Sequence, residues 1–135
     1  MIIIDIGTAI TFDVVDENSI YQGGAIIPGI GISSEALFLK TAKLPRVELY
    51  KPERIVAKNT MDNIRVGMVI GYIGLIEKLI DEVVKEMNFD ISKLKVVATG
   101  GYSSLITKDI DKINIIDKKL TLDGMLEIYK MKKGL

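Results

Sequence analysis

The spacing of apolar residues changes along the chain, and its first part predicts three consecutive strands. Met1–Ile4 is a continuous apolar run typical of a buried strand, and Thr11–Val15 alternates as its hairpin partner would. Ile20–Ile27 resumes the strand pattern after a polar turn and is interrupted by two glycines. Short turns between these segments favour antiparallel pairing.

Helical features and prolines follow the third strand. A short helix is expected over Glu35–Leu39, with Ser33 or Ser34 as its N-cap. Thr41–Lys58 contains two prolines and is predicted to run irregularly over the surface.

The longest helix is predicted over residues 61–87, with Asn59 or Thr60 as its N-cap. Apolar residues recur on it with a helical period and are expected to face the core: Ile64, Met68, Leu75, Leu79, Val83 and Met87. Glycines recur at spacings of four and three, at Gly67, Gly71 and Gly74. Such a stripe of small residues predicts close packing, either across a dimer interface or against the sheet of the same chain.

The last third alternates short strands with helices. A strand is predicted over Lys95–Thr99, a helical turn through Leu105, a second strand over Ile113–Ile116 and a helix over Leu120–Met131. Three antiparallel strands followed by crossover units predict an α/β fold with a mixed five-stranded sheet flanked by helices. We expect a single domain over residues 1–135, of the ribonuclease-H-like type.

Composition narrows the chemistry. Eighteen basic and eighteen acidic residues cancel, so bulk charge predicts neither nucleic acid nor a membrane surface as partner. The chain has no cysteine and no histidine, which excludes disulfides, thiolate catalysis, serine–histidine pairs and the usual zinc sites. Residues 66–76 form an apolar run too short for a bilayer, and no signal-peptide pattern is present, so a cytoplasmic location is expected.

Candidate phosphate chemistry lies at the first turn. Asp5 is predicted at the end of the first strand, Gly7 in the reversal and Thr8 just after it. Free amides and a hydroxyl can bind phosphate oxygens, and a neighbouring carboxylate can hold a cation that neutralises them. The alternative is a plain hairpin in which Asp5 and Thr8 satisfy turn amides.

Further motifs point the same way. Gly100 and Gly101 follow a predicted parallel strand, where ligands favour the carboxyl end, although paired glycines are also common in turns. Thr60 lies at a helix start, where it can contact a substrate or act as a plain cap. Residues 23–31 contain four glycines, which indicate either a closely approaching ligand or a kinked strand.

Six strings together carry a family resemblance. They are D-I-G-T-A-I-T-F-D at Asp5–Asp13, Y-Q-G-G-A-I-I-P-G at Tyr21–Gly29, T-A-K-L-P-R-V-E-L at Thr41–Leu49, K-N-T at Lys58–Thr60, A-T-G-G at Ala98–Gly101 and L-T-L-D-G at Leu120–Gly124. In this order the chain resembles type III pantothenate kinases of the actin-like ATPase superfamily. The match covers essentially the whole chain.

The resemblance implies ATP-dependent phosphorylation of pantothenate, the first step of coenzyme A synthesis. It implies that Asp5 binds potassium or ammonium, with magnesium as a further candidate ion. It also implies that Thr60 contacts pantothenate across a homodimer formed through helix 61–87. The residues implied for the nucleotide are Gly7, Thr8, Gly100 and Gly101.

The same resemblance covers only the second half of such kinases. The first half carries another phosphate loop and the proposed catalytic base, so the chain looks like a C-terminal lobe that is weakly active or inactive alone. Arg65 and Val66 stand where the family usually has glutamine and serine. The alternatives are a non-catalytic module, which dimerises or complements a separate N-terminal lobe, and a regulator related to the kinase.

Overall fold

Five strands form one mixed sheet in the computed structural model, which describes residues 1–135. In chain order they are β1 (Ile2–Ile6), β2 (Ala9–Val15), β3 (Tyr21–Pro28), β4 (Val96–Thr99) and β5 (Ile115–Ile116). Their spatial order is β3-β2-β1-β4-β5. β1 pairs antiparallel with β2 and β2 with β3, whereas β4 lies parallel to β1 and β5 parallel to β4. The predicted mixed sheet is confirmed.

One face of β1 and β2 supplies the core. Side chains alternate between the two faces of a strand, and the inward set is buried: Ile2, Ile4, Ile6, Ile10, Phe12 and Val14. Every residue of β4 is buried, as expected for a central strand covered on both faces. The polar residue Asp5 therefore belongs to the opposite face of β1 from the main core.

Four helices connect and cover the strands. They are α1 (Ile30–Lys40), α2 (Thr60–Glu86), α3 (Ser103–Ile106) and α4 (Leu120–Lys133), and a 3-10 turn at residues 107–109 follows α3. Asn59 caps α2, because its side-chain oxygen accepts a hydrogen bond from the Asp62 amide at 2.9 Å. This confirms the predicted start of the longest helix. None of the helices combines the length and apolar content needed to cross a membrane.

The predicted N-cap of α1 is wrong. The helix begins at Ile30, directly after Gly29, so Ser33 and Ser34 lie inside it. The Ser33 hydroxyl bonds the Tyr72 hydroxyl at 2.6 Å, and Tyr72 in turn donates to the Pro28 carbonyl at 2.8 Å. Ser33 thus joins α1 to α2 and β3 instead of starting a helix.

The centre of the buried face of α2 lies beside most of the predicted apolar positions, although four of those positions also pack against the core. Its fully buried apolar residues are Ile64, Val69, Tyr72, Ile73, Ile76 and Ile80. Of the predicted set Ile64 is buried, and the half-buried residues that pack against the core are Met68, Leu75, Leu79 and Val83. The three stripe glycines of α2 are exposed, and a Cβ on any of them would meet no atom within 4 Å. Packing of that stripe against the chain's own sheet is therefore wrong.

The end of the chain is less enclosed. β5 has two residues instead of the predicted four, and both are exposed. α4 follows the prediction closely in its bounds, yet none of its residues is buried.

Candidate functional site

Asp5 lies in β1 one residue before its end, between Thr11 of β2 and Thr99 of β4. The strand continues through Ile6, so Asp5 is part of the ladder and not the first residue beyond it. Its side chain is half-buried and accepts a hydrogen bond from the Thr121 hydroxyl at 3.5 Å. A typical bond of this kind measures about 2.7 Å, so the carboxylate keeps most of its capacity for another partner.

Gly100 packs directly against this carboxylate. A Cβ at Gly100 would lie 2.5 Å from Asp5 Oδ1 and 2.6 Å from the Ile6 carbonyl oxygen, and its φ is +93°. Only glycine adopts this conformation at this distance without strain. The loop is fixed by two further bonds, from the Tyr102 amide to the Ile6 carbonyl at 3.1 Å and from the Ser103 hydroxyl to the Gly100 carbonyl at 2.7 Å.

The turn after β1 closes the other side of Asp5. A Cβ at Gly7 would lie 3.2 Å from Asp5 Oδ1. The Gly7 amide donates to the Ala9 carbonyl at 3.1 Å, and the Gly29 amide donates to the Thr8 carbonyl at 3.0 Å. These bonds hold the turn against the start of α1 and leave the Thr8 side chain exposed.

The structure therefore brings Asp5, Gly7 and Gly100 together. Thr8 follows Gly7 in the same turn, and Gly101 is exposed with no atom within 4 Å of an added Cβ. The absence of side chains at Gly7 and Gly100 makes room for the carboxylate, so backbone lies directly against it on both sides.

Thr60 lies at a second place. It is the exposed first residue of α2, beside a groove of about 340 Å³ lined in part by Tyr50, Lys58 and Asn59. Tyr72, which contacts the β3–α1 junction next to Thr8, is twelve residues further along α2, or about 18 Å at 1.5 Å per residue. Thr60 is thus not brought to Asp5 within one chain.

Arg65 organises the groove beside Thr60. The guanidinium is buried, donates to the Glu48 carbonyl at 3.0 Å and pairs with the Asp62 carboxylate. It also lies over the Tyr50 ring, 3.7 Å from the ring centre. Arg65 therefore binds the irregular segment before α2 to the first turn of that helix, where Asp62 also contacts the Asn59 cap.

Sequence reasoning missed the structural roles of Thr121 and Arg65. Thr121 lies within L-T-L-D-G, to which no ligand contact was assigned from the sequence. Its contact with Asp5 joins residues 116 positions apart. For Arg65 the sequence indicated only a difference from the residue that is usual in the family. No cluster of three or more His, Cys, Asp or Glu side chains is arranged to hold a metal ion. A cation at Asp5 would take its other ligands from backbone, hydroxyl or phosphate oxygens.

Comparison with known proteins gives one consistent family. The sequence model described as Type III pantothenate kinase matches residues 1–82. The type III pantothenate kinase of Finegoldia magna is 49% identical over 99% of this chain and 51% of its own length. That of Persephonella marina is 46% identical over 96% of this chain and 49% of its own length.

A solved structure agrees with the fold. A Campylobacter jejuni protein described as a Baf family transcriptional activator superposes with a TM-score of 0.68 and 28% identity, covering 99% of this chain and 59% of that one. The chain spans about half the length of the curated relatives that it matches. On the family model and these relatives together, the chain belongs to the type III pantothenate kinase family.

Proposed function

We propose that this chain is the C-terminal, nucleotide-binding lobe of an enzyme that transfers phosphate from ATP to pantothenate. The observation that carries the proposal is the Asp5 carboxylate, which packs directly against the backbone of Gly7 and Gly100. Phosphoryl transfer depends mainly on positioning and on neutralising phosphate charge, and this arrangement offers both. The relatives' family name supplies the substrate.

Each site residue then has a role. Asp5 holds a potassium or ammonium ion beside the phosphates, with magnesium as a further ion that the phosphates bring. The Gly7 and Thr8 turn binds phosphate oxygens, and Gly100 with Gly101 lies against the nucleoside. The bound cation supplies neutralisation of the phosphate charge.

Thr60 has its proposed role in a homodimer. Thr60 is exposed and distant along α2 from the Asp5 site, so a second copy is needed for it to contact the same substrate. The exposed glycines of α2 leave a surface on which another helix can pack closely. The Thr60 groove of one protomer would then receive pantothenate next to the phosphate site of its partner.

The remaining expectations belong to the same proposal. β2 runs in the opposite direction to the other four strands. This direction and the strand order favour the ribonuclease-H-like fold of actin-like ATPases. Residues 1–135 form one domain, located in the cytoplasm. Nucleic acid and membranes are not partners, as the balanced charge indicates.

Thermal unfolding with ATP and potassium tests this proposal. At saturating ATP in potassium chloride we expect about 1–3 kcal/mol of stabilisation, and less in choline chloride of equal ionic strength. Asp5→Asn removes the potassium-dependent part. Asp13→Asn is the matched control, because Asp13 is a half-buried β2 carboxylate paired across from Ile3, away from the turn. Equal loss in both variants, or no response to ATP, contradicts the proposal.

Activity separates the kinase lobe from its alternatives. We expect little or no turnover of pantothenate by this chain alone. The relatives contain a further half that this chain does not match, and we expect turnover when that half is added. Robust turnover alone would place the base within residues 1–135. Absence of turnover with both halves would favour a non-catalytic dimerising or partner-complementing module, or a regulator such as the name of the Campylobacter jejuni protein describes.

A further inference from the structure

The groove beside Thr60 has two walls that come from different parts of the chain. Tyr50, in the irregular segment before α2, lines one wall, and Asn59 and Asp62, at the start of α2, line the other. Residues 41–59 contain no helix or strand, so no ladder of backbone hydrogen bonds fixes the distance between the walls. Side-chain contacts between the walls therefore set the width of the groove.

Arg65 makes the contacts that join the two walls. Its side chain is 4% exposed, donates to the Glu48 carbonyl at 3.0 Å and lies over the Tyr50 ring, 3.7 Å from the ring centre. The same guanidinium pairs with the Asp62 carboxylate on the opposite wall. Because a guanidinium is planar and its donors point in fixed directions, one side chain can hold all three partners at once.

The contact extends to Thr60 through the N-cap of α2. The Asp62 carboxylate accepts a hydrogen bond from the Asn59 side-chain amide at 2.7 Å, and the Asp62 backbone amide donates to the Asn59 side-chain oxygen at 2.9 Å. Thr60 lies between these two residues in the sequence and is the first residue of the helix. Arg65 thus fixes the turn that carries Thr60 and the ring across the groove from it.

Arg65 also determines the charge balance of the groove. Two cationic side chains, Arg54 and Lys58, line it together with two carboxylates, Glu53 and Asp62. With Arg65 paired to Asp62 the cations outnumber the carboxylates, and without Arg65 the charges only balance. Pantothenate is a carboxylate anion at neutral pH, so an unpaired Asp62 would repel it.

We propose that Arg65 is the positioning residue that gives the Thr60 groove its affinity for pantothenate. This inference rests on the proposed function. Arg65 acts on the substrate through Tyr50, Asp62 and Thr60, and its contacts lie at the groove and not at the Asp5 site. Its loss should therefore weaken the binding of substrate and transition state equally, which raises KM and leaves kcat unchanged.

Steady-state kinetics test the positioning in this chain joined to the half of the Finegoldia magna relative that it does not match. Arg65→Met should raise the KM for pantothenate at least about tenfold and leave kcat and the KM for ATP within about twofold. Arg65→Lys keeps the charge but not the planar fork, so its KM for pantothenate should still rise about threefold or more.

The matched control is Lys51→Met. The ion pair of Lys51 with Asp109 anchors the same irregular segment without contacting α2, so the KM for pantothenate should stay within about twofold. A KM that is unchanged in Arg65→Met, a fall in kcat without a rise in KM, or a KM that is unchanged in Arg65→Lys overturns the proposal.

Hydrogen exchange of the same joined protein reads binding at the groove without turnover. Pantothenate should slow exchange of the amides of residues 50–62, and Arg65→Met should need at least about tenfold more pantothenate for the same protection. No protection in the unsubstituted protein, or protection of the variant at the same concentration, overturns the inference. Protection that shifts in this way without any turnover would support the role of Arg65 and contradict the proposed phosphate transfer, so the two failures are distinguishable.

Discussion

The two longest helices of the molecule have similar apolar patterns and opposite environments. α2 has seven buried residues and only Met61 among its large apolar residues is exposed, whereas α4 has no buried residue and six exposed ones. α2 is bonded to β3 through Tyr72 and to the preceding segment through Arg65. α4 contacts the sheet through a single long hydrogen bond from Thr121.

The difference shows that helix formation and helix burial are separate requirements. An apolar period predicts a helix, and packing against a surface then provides most of its stability. For α2 that surface is the β1–β2 face of the same chain. For α4 the apolar side chains remain exposed, and its contact with the sheet is the Thr121 hydrogen bond. The largest expected consequence is an unequal response of the two helices to the same mutation.

Truncation of one core side chain of α2 and one exposed apolar side chain of α4 measures that inequality. Ile76→Ala should lower the free energy of unfolding by about 3 kcal/mol, because it leaves a cavity beside a fully buried position. Leu126→Ala, at a position that is 49% exposed, should change it by less than about 0.5 kcal/mol. Urea unfolding followed by circular dichroism gives both values.

Two controls keep this comparison interpretable. If Ile76→Ala does not fold, Ile76→Val should cost about 1 kcal/mol at the same buried position. If Leu126→Ala costs as much as the isoleucine variant, α4 is already covered in the chain alone and the contrast between the helices fails.

Substitution of Gly100, beside Asp5, should give the next largest loss of stability. Gly100 lies at the end of the sheet where α4 begins. Gly100→Ala should destabilise the chain by about 2–3 kcal/mol, because the new Cβ meets Asp5 and Ile6 at a positive φ. It should also abolish the potassium-dependent stabilisation by ATP. Gly101→Ala is the control, since its Cβ would meet nothing within 4 Å. Equal unfolding midpoints in urea for the two variants would contradict the packing described for Gly100.

Arg65 at the start of α2 gives a smaller effect. Arg65→Met should cost about 1–2 kcal/mol, because it removes the bond to Glu48 and the contact with Tyr50 while its apolar chain still fills the space. Lys78→Met on the exposed side of the same helix is the control and should cost less than about 0.5 kcal/mol. Limited proteolysis of the segment before α2 should accelerate only in Arg65→Met; acceleration in neither would show that Arg65 does not hold that segment.

Local patterns predicted most of the fold, and long-range contacts account for what they missed. Strand alternation and the Asn59 cap depend on neighbouring residues, so β1 to β3 and α2 were predicted within one or two positions. α1 starts at Ile30, which places Ser33 inside the helix, where its hydroxyl meets Tyr72, 39 residues away, a contact that no local cap rule includes. β5 was predicted too long: only Ile115 and Ile116 pair with β4, and the length of that pairing is set by a strand far away in the sequence.

The candidate site divides in the same way. Asp5 lies in β1 two residues before the turn formed by Gly7 and Thr8, so their proximity follows from the chain itself. Gly100 joins them through the parallel pairing of β1 with β4, which a strand followed by glycines predicts. The contact of Thr121 with Asp5 depends on where α4 begins in three dimensions, and no sequence spacing encodes it.

The smallest expected change in stability comes from an ion pair on the exposed side of α2. Removing this pair tests whether that side contributes to stability. A hydrogen bond from the Lys78 ammonium holds the pKa of the Glu82 carboxyl below its usual 4.5. A lowered folded-state pKa contributes stability that is present above 4.5 and is lost as the pH falls below it. Glu82→Gln should therefore reduce the drop in the unfolding midpoint between pH 6 and pH 3 by a small amount, since exposed pairs contribute little. Glu86→Gln is the control four residues along; if both variants change the pH profile equally, general charge reduction and not the Lys78 pair is responsible.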